Sequence, residues 1–338
     1  MSLEDTSATA PAPASAHELE FGRPSMGLAL AMQGVALVGV FGVIKAFAGA
    51  PEGGPAWAWP VLLFSWLLAW WSVTSITSCE KHEPSQAVSL LIPVLFGIWL
   101  LMLWEALVTG LKIPPVLLPA PSAIGVKIIG NIPTLWADFQ QTFMKSVLAG
   151  YFLGCSIGFA VALLADRVPF LKRGLLPVGN FVSALPIVGV APIMVMWFGF
   201  DWPSKAAVVV IMTFFPMLVN TVAGLEAAGR MERDLMRTYA ATHSQSLLKL
   251  RLPAAMPFIF NALKINSTLA LIGAIVAEFF GTPIVGMGFR ISTEVGRMSI
   301  DMVWAEIAVA ALAGSLFYGL VGAAERAVTF WHPSQRRT

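Results

Sequence analysis

Long apolar runs separated by short polar links account for most of this chain. A helix needs about 20 largely apolar residues to cross roughly 30 Å of hydrocarbon, and such runs fall at about 26–48, 57–76, 88–111, 147–164, 175–200, 206–225, 261–280 and 302–323. They predict about eight transmembrane helices. The second run carries Trp57, Trp59, Trp66, Trp70 and Trp71, and aromatic rings near span ends suit the headgroup region. In the fourth, Gly150, Gly154 and Gly158 recur every four residues, a smooth stripe on one helix face where a neighbouring backbone can approach. The fifth contains Pro186 and Pro192. Each frees a carbonyl that protein or water must satisfy, so this span is expected to face the interior or a pathway. Residues 112–146 hold five prolines and mixed polarity, too broken for a span. A short surface helix with Ser122 as N-cap is expected there.

Composition narrows the class. The 338 residues are 57% hydrophobic and 12% charged, against about a quarter charged in soluble domains. The net charge of +2 is scattered over short loops, which argues against nucleic-acid binding. Residues 1–25 are acidic and rich in Ala, Pro and Ser, the composition of a disordered tail and not of a signal peptide. Cys79 and Cys155 lack metal-site spacing and are read as unpaired packing residues.

No G-x-x-x-x-G-K-[ST] phosphate loop is present. His17, His82, His243 and His332 are dispersed, so no two share a metal-binding helix face. Catalytic residues, a metal site and a cofactor bound by this chain are therefore not expected, and any ATP-driven work would need another subunit. Polar groups inside apolar runs are functional candidates because they are costly in lipid. Asn180, Ser183, Thr213, Asn220, Asn266 and Glu278, with Pro186 and Pro192, form a candidate pathway set. Hydrogen bonding between helices explains the amides and hydroxyls equally well, and Glu278 suits structural pairing as well as pathway lining. Lys264 is expected to snorkel to the headgroups.

The one polar interruption in the hydrophobic second half is DLMRTYAATHSQSLLKLRLPAAMP, residues 234–257. Leu235, Met236, Tyr239 and Ala240 fall on one side of a helix, with Arg233, Arg237 and His243 elsewhere. Apolar residues continue to Pro253, whose ring disfavours helix at the residue before it. A short amphipathic helix ending in a turn is predicted. It either docks on a partner or lies flat on lipid headgroups.

This stretch resembles the cytoplasmic coupling loop of ATP-binding-cassette importer permeases of the nitrate/sulfonate/taurine type. The loop's usual pattern is a Glu-Ala-Ala triplet, a glycine, and a later Leu-Pro. Asp234, Leu235 and Met236 stand at the triplet, Ala240 at the glycine and Leu252-Pro253 at the closing pair. Asp234 keeps a carboxylate near a helix N-terminus. Ala240 does not cheaply take the positive φ that glycine allows, so the turn is expected to be made differently here. Trp104-Glu105 and Leu118 to Ser122 match the element that opens the family's membrane domain.

The resemblance implies an all-α polytopic membrane protein with a type I importer permease (MetI-like) core over 88–330, with the coupling loop at 226–257. Residues 26–80 would then be two additional helices, and 331–338 a cytoplasmic tail. It also implies a cytoplasmic ATPase partner holding ATP-Mg, a second permease copy (a homodimer), an external solute-binding protein, and a small solute, with a lean to a pyrimidine or thiamine precursor. The rival readings are a stand-alone secondary transporter, which favours inverted repeats and buried ion-coupling carboxylates, and a non-transporting scaffold. Cytoplasmic termini would place Arg23, Lys81, Arg167, Lys172, Arg173, Arg230, Arg233, Arg237, Lys249, Arg251, Arg326, Arg336 and Arg337 inside, leaving Lys45, Lys112, Lys127, Lys145, Lys205, Arg290 and Arg297 outside. That bias agrees with the positive-inside rule in a bacterial plasma membrane.

Overall fold

The computed structural model describes residues 26–50, 54–80, 86–183, 185–281 and 284–331. Both predicted tails, apart from Trp331, lie outside this set. So do His17, His82 and His332, and the side chains of Cys79, Asn180 and Ser183. All the regular secondary structure among the described residues is helical, in two compact units, Met1–Ile113 and Pro114–Thr338. Seven helical stretches are long and apolar enough to cross a membrane.

The first unit contains α1 (Met26–Gly49), α2 (Ala58–Glu80) and α3 (Gln86–Gly110). On α1 the buried positions are Ala29, Gln33, Ala36, Val40, Val43 and Phe47. On α2 they are Ala58, Leu62, Ser65, Ala69, Ser72 and Ile76. Both sets alternate steps of three and four residues, the spacing that keeps a seam between two gently supercoiled helices. Three polar side chains close it. Ser72 donates to the Ala29 carbonyl (2.6 Å), Gln33 to the Ala69 carbonyl (3.2 Å), and the Trp99 indole of α3 to the Gln33 side-chain oxygen (2.8 Å).

The second unit begins with α4 (Pro121–Gly130), opened by Pro121 with Ala120 as N-cap, so Ser122 is not the cap expected for it. Then α5 (Ile132–Phe139), a π-helical segment (Gln140–Val147) and α6 (Leu148–Arg167) form one rod. The expected fourth span starts too late. Gln141, Thr142 and Ser146 made this region look like surface, yet all three are buried. Two shorter helices follow, α7 (Pro169–Ser183) and α8 (Ile187–Phe198). They correspond to the predicted fifth span, divided just before Pro186, while Pro192 stays inside α8.

Next come α9 (Trp202–Glu226), α10 (Arg230–Thr238), α11 (His243–Ser246), a π-turn (Leu247–Arg251), α12 (Leu252–Glu278), α13 (Met287–Gly296) and α14 (Ile300–Val328). The π-turn fuses α11 to α12, so Pro253 opens α12 in its first turn instead of ending a helix before it, and Pro257 lies inside. The seventh span therefore begins well before residue 261.

α9 is the centre of this unit, packed between α6 and α12. The glycine stripe explains how α6 approaches so closely. A Cβ on Gly150 would stand 2.5 Å from Val209 Cβ, one on Gly154 would stand 2.9 Å from the Val210 carbonyl, and one on Gly158 would stand 2.6 Å from the Phe214 carbonyl. Around this three-helix core sit Phe143, Tyr151, Met217, Ile259, Leu271 and Phe317. At one end Lys172, near the start of α7, pairs with Glu226 at the end of α9. At the other, Asp201 after α8 meets Gln141 of the α6 rod (2.7 Å). Thus α7 and α8 together carry the chain from one end of the bundle to the other, completing eight crossings with the seven long helices.

Candidate functional site

The polar interruption folds as a helical hairpin at the Arg167 and Glu226 ends of the spans. α10 ends in a two-bond lock: Ala241 N–H donates to the Met236 carbonyl and Ala240 N–H to the Arg237 carbonyl, both 2.9 Å. This is the Schellman arrangement, which calls for a left-handed residue where Ala240 stands. Ala240 adopts it, with φ of 51°. The turn is therefore made as glycine would make it, with alanine bearing the strain, contrary to the sequence expectation. Two residues on, Thr242 caps α11 through a capping box. Gln245 N–H donates to the Thr242 hydroxyl and Thr242 N–H to the Gln245 side chain.

Arginines tie this hairpin to the spans. Arg251 forks onto both oxygens of Asp166 at the end of α6 (2.8 and 2.5 Å), and its Nε donates to the Leu225 carbonyl of α9 (3.0 Å). Arg233 donates to the Ala228 and Glu226 carbonyls. One fork thereby joins the ends of α6, α9 and α12, the geometry for which arginine is better suited than lysine. The apolar side chains Met231 (84% exposed), Leu235 (56%) and Tyr239 (78%) are left uncovered beyond the span ends, and Leu248 (62%) is exposed on the π-turn leading into α12. Met236 differs from the expected face: it lines a cleft together with Arg233 and Arg237. Leu252 and Pro253 belong to α12, not to the exposed hairpin.

At the opposite end, three consecutive N–H groups at the start of α13 are each taken by a side chain from another helix. Gly286 N–H donates to Asp138 (2.6 Å), Met287 N–H to the Thr142 hydroxyl (2.8 Å), and Gly288 N–H to Glu278 (2.7 Å). The Thr142 hydroxyl in turn donates to Glu278 (2.7 Å). Two carboxylates at a helix N-terminus also match the positive end of its dipole. Gly286 has φ of 143°, and a Cβ there would stand 2.9 Å from the Glu278 carboxylate, so glycine is required for this approach. Arg290 closes the cluster on Asp138 (2.8 Å). Burial works against the Arg290 charge, but the hydrogen bond and charge of Asp138 outweigh it and hold its pKa above the ordinary value. In the adjoining loop the Trp202 N–H, and then the Gln141 amide, hold the Asp201 carboxyl below its usual range.

Residues 150–330, from the glycine-striped α6 through the polar hairpin to α14, match the family described as binding-protein-dependent transport system inner membrane component. The chain belongs to this family. A probable ABC transporter permease protein of Haemophilus influenzae is 32% identical over 222 residues, covering 66% of this chain and 90% of that protein. The formylaminopyrimidine transport permease protein ThiX of Halalkalibacterium halodurans is 30% identical over 243 residues, 72% of this chain and 96% of its own length. The taurine transport system permease protein TauC of Escherichia coli is 26% identical over 240 residues, 69% and 86% of the two chains. This is an ABC importer permease of the nitrate/sulfonate/taurine type, a multi-pass inner membrane protein. The relatives are named as transport permeases.

Within this permease the candidate pathway residues are dispersed. Thr213 and Asn266 form a buried layer with Cys155: the Asn266 amide donates to the Thr213 carbonyl (2.8 Å) and to Cys155 Sγ (3.2 Å), joining α6, α9 and α12. Asn220 donates to the Pro216 carbonyl within α9 (2.8 Å). Glu278 serves α13, as described above. Pro186 is the N-cap of α8. Beside the α7–α8 break lies a cavity of about 150 Å³, lined in part by Val182, Ile187, Met212 and Leu269. None of these four stands out in the sequence, because each is one apolar residue among many. Lys264 pairs with Glu325 of α14 (2.7 Å) instead of snorkelling alone. Among the described residues no group of three or more His, Cys, Asp or Glu side chains could hold a metal ion.

Proposed function

We propose that this chain is the conducting subunit of an ATP-driven importer of a small solute. Two copies would form the pathway, with cytoplasmic termini. A cytoplasmic ATPase carrying ATP-Mg would dock on each hairpin of α10 and α11, and an external binding protein would deliver the solute. The observation that carries this reading is the hairpin: locked by the Ala240 turn, clamped to two spans by Arg251, and presenting uncovered apolar side chains outside every span. Apolar surface left in water is unfavourable by roughly 25 cal/mol per Å², and a rigid clamp is what passes a partner's movement into helices. Transport would then be alternating access between two global states, driven by closure of the ATPases.

For the solute, the likeness to a formylaminopyrimidine permease supports a pyrimidine or thiamine precursor. Uptake into proteoliposomes tests both levels. Accumulation of a labelled formylaminopyrimidine should require the ATPase, the binding protein and ATP together. Uptake by the chain alone, driven by an ion gradient, would identify a stand-alone transporter instead. ATP-dependent uptake of taurine but not of the pyrimidine would retain the importer and overturn the solute.

A further inference from the structure

We propose that the cleft between the coupling hairpin and the span ends binds the phosphate of an anionic phospholipid headgroup. The cleft has a volume of about 630 Å³. Its walls include Asp166 near the end of α6, Glu226 closing α9 and Arg251 leading into α12. Because Asp166 and Glu226 stand at the ends of membrane-spanning stretches, the wall they form lies at headgroup depth. Its charge is one-sided. Lys172, Arg173, Arg233, Arg237 and Arg251 line it against the carboxylates Asp166 and Glu226.

Those two carboxylates are already committed. Asp166 is taken bidentately by Arg251 and Glu226 by Lys172. Arg233 donates to the backbone carbonyls of Ala228 and Glu226, and among the described residues no carboxylate pairs with it. Arg237 meets Asp234 at 3.6 Å with both side chains mostly in solvent, a contact that contributes little. Among the described residues no carboxylate pairs with Arg173. His243, also in the wall, is 3.9 Å from an Asp166 oxygen that Arg251 already holds. Three cationic side chains therefore face a cleft at headgroup depth without a committed counter-charge. A phosphodiester supplies what is missing: a negative group whose oxygens accept from guanidinium forks, anchored by acyl chains beside the spans. Basic pockets between membrane helices bind anionic headgroups by this chemistry.

Native mass spectrometry of the full-length permease, released from membranes of equimolar phosphatidylglycerol and phosphatidylcholine, tests the proposal. The wild type should retain phosphatidylglycerol preferentially, and the double variant Arg173→Gln/Arg237→Gln should lower that preference on the order of tenfold. Both side chains are exposed, so folding should be unaffected. Arg173→Lys, which keeps the charge, should retain the preference. Equal retention of the two lipids by the wild type, or an unchanged preference in the double variant, overturns the assignment. Displacement of the bound lipid by excess inorganic phosphate would assign the cleft to a soluble anion and overturn the lipid. If the double variant keeps its lipid preference but loses ATPase association, the cations serve an acidic partner surface and the proposal fails, while the ATPase docking reading stands.

Discussion

Ala240 occupies a backbone conformation in which an L-residue's Cβ crowds the following carbonyl oxygen, at a cost of roughly 1–2 kcal/mol. The Schellman bonds around it hold it there. Ala240→Gly should therefore raise hairpin stability by about 1 kcal/mol, less the extra backbone entropy glycine loses on folding, and slow hydrogen exchange at Ala241. Faster exchange would show that the strain was not relieved. Glu278 illustrates the opposite case, a residue that looks costly yet satisfies two donors. Glu278→Ala would strand the Gly288 N–H and the Thr142 hydroxyl in a buried site, a loss of about 1–3 kcal/mol for each unsatisfied group. A clear fall in thermal-shift midpoint is expected, with Glu278→Gln intermediate because its carbonyl still accepts. Neither role could be read from sequence: one needs a dihedral angle, the other two partners, one more than a hundred residues away and one across a loop.

At the scale of elements, the spans were legible wherever hydrocarbon sets the rule, because a helix in lipid must be apolar over a fixed length. The boundaries were not. Gln141, Thr142 and Ser146 read as surface, yet they extend the α6 rod because Thr142 is bonded to Glu278 and α13, and Gln141 to Asp201. The heptad seam of α1 and α2 was present in the sequence but hidden, since the outward faces are equally apolar. The glycine stripe was legible because only glycine has a packing meaning so direct. Gly154→Val would drive a side chain into Thr213 and the Val210 carbonyl, so it should cost at least the roughly 1–3 kcal/mol typical of overpacking. The prediction is low recovery of folded protein, with the same change at Gly174, which has open space around it, tolerated. Equal behaviour of the two variants would contradict close packing of α6 on α9.

At the scale of the whole molecule, the two ends of the second unit differ in purpose. One is held together by the buried Asp138, Thr142 and Glu278 and the half-buried Arg290. The other presents a clamped hairpin with apolar side chains in the open. Eight crossings predict that reporter fusions after Asp166 and Glu232 indicate the same side and one after Asp201 the opposite side, with the first two cytoplasmic. An Asp201 fusion on the same side would mean that α7 and α8 do not cross. The family was legible because a polar segment of its pattern is conspicuous in an apolar chain, whereas the Arg251–Asp166 clamp joins residues 85 apart in sequence and has no local signature.

The central claim, that α10 and α11 receive the ATPase, is tested most directly at Tyr239, which is 78% exposed and outside every span. Tyr239→Asp would place an unpaired charge in an apolar contact, costing several kcal/mol where that contact is dry, whereas Arg230→Ala on the exposed side should cost about 0–1 kcal/mol. The measurement is co-purification of the ATPase with the membrane-inserted variant, alongside solute-stimulated ATP hydrolysis. The account predicts normal insertion of Tyr239→Asp with both signals lost, and both retained in Arg230→Ala. A normally expressed Tyr239→Asp protein that keeps its ATPase and its stimulated hydrolysis, with only its membrane contact weakened, would show that the hairpin rests on headgroups and would contradict the account.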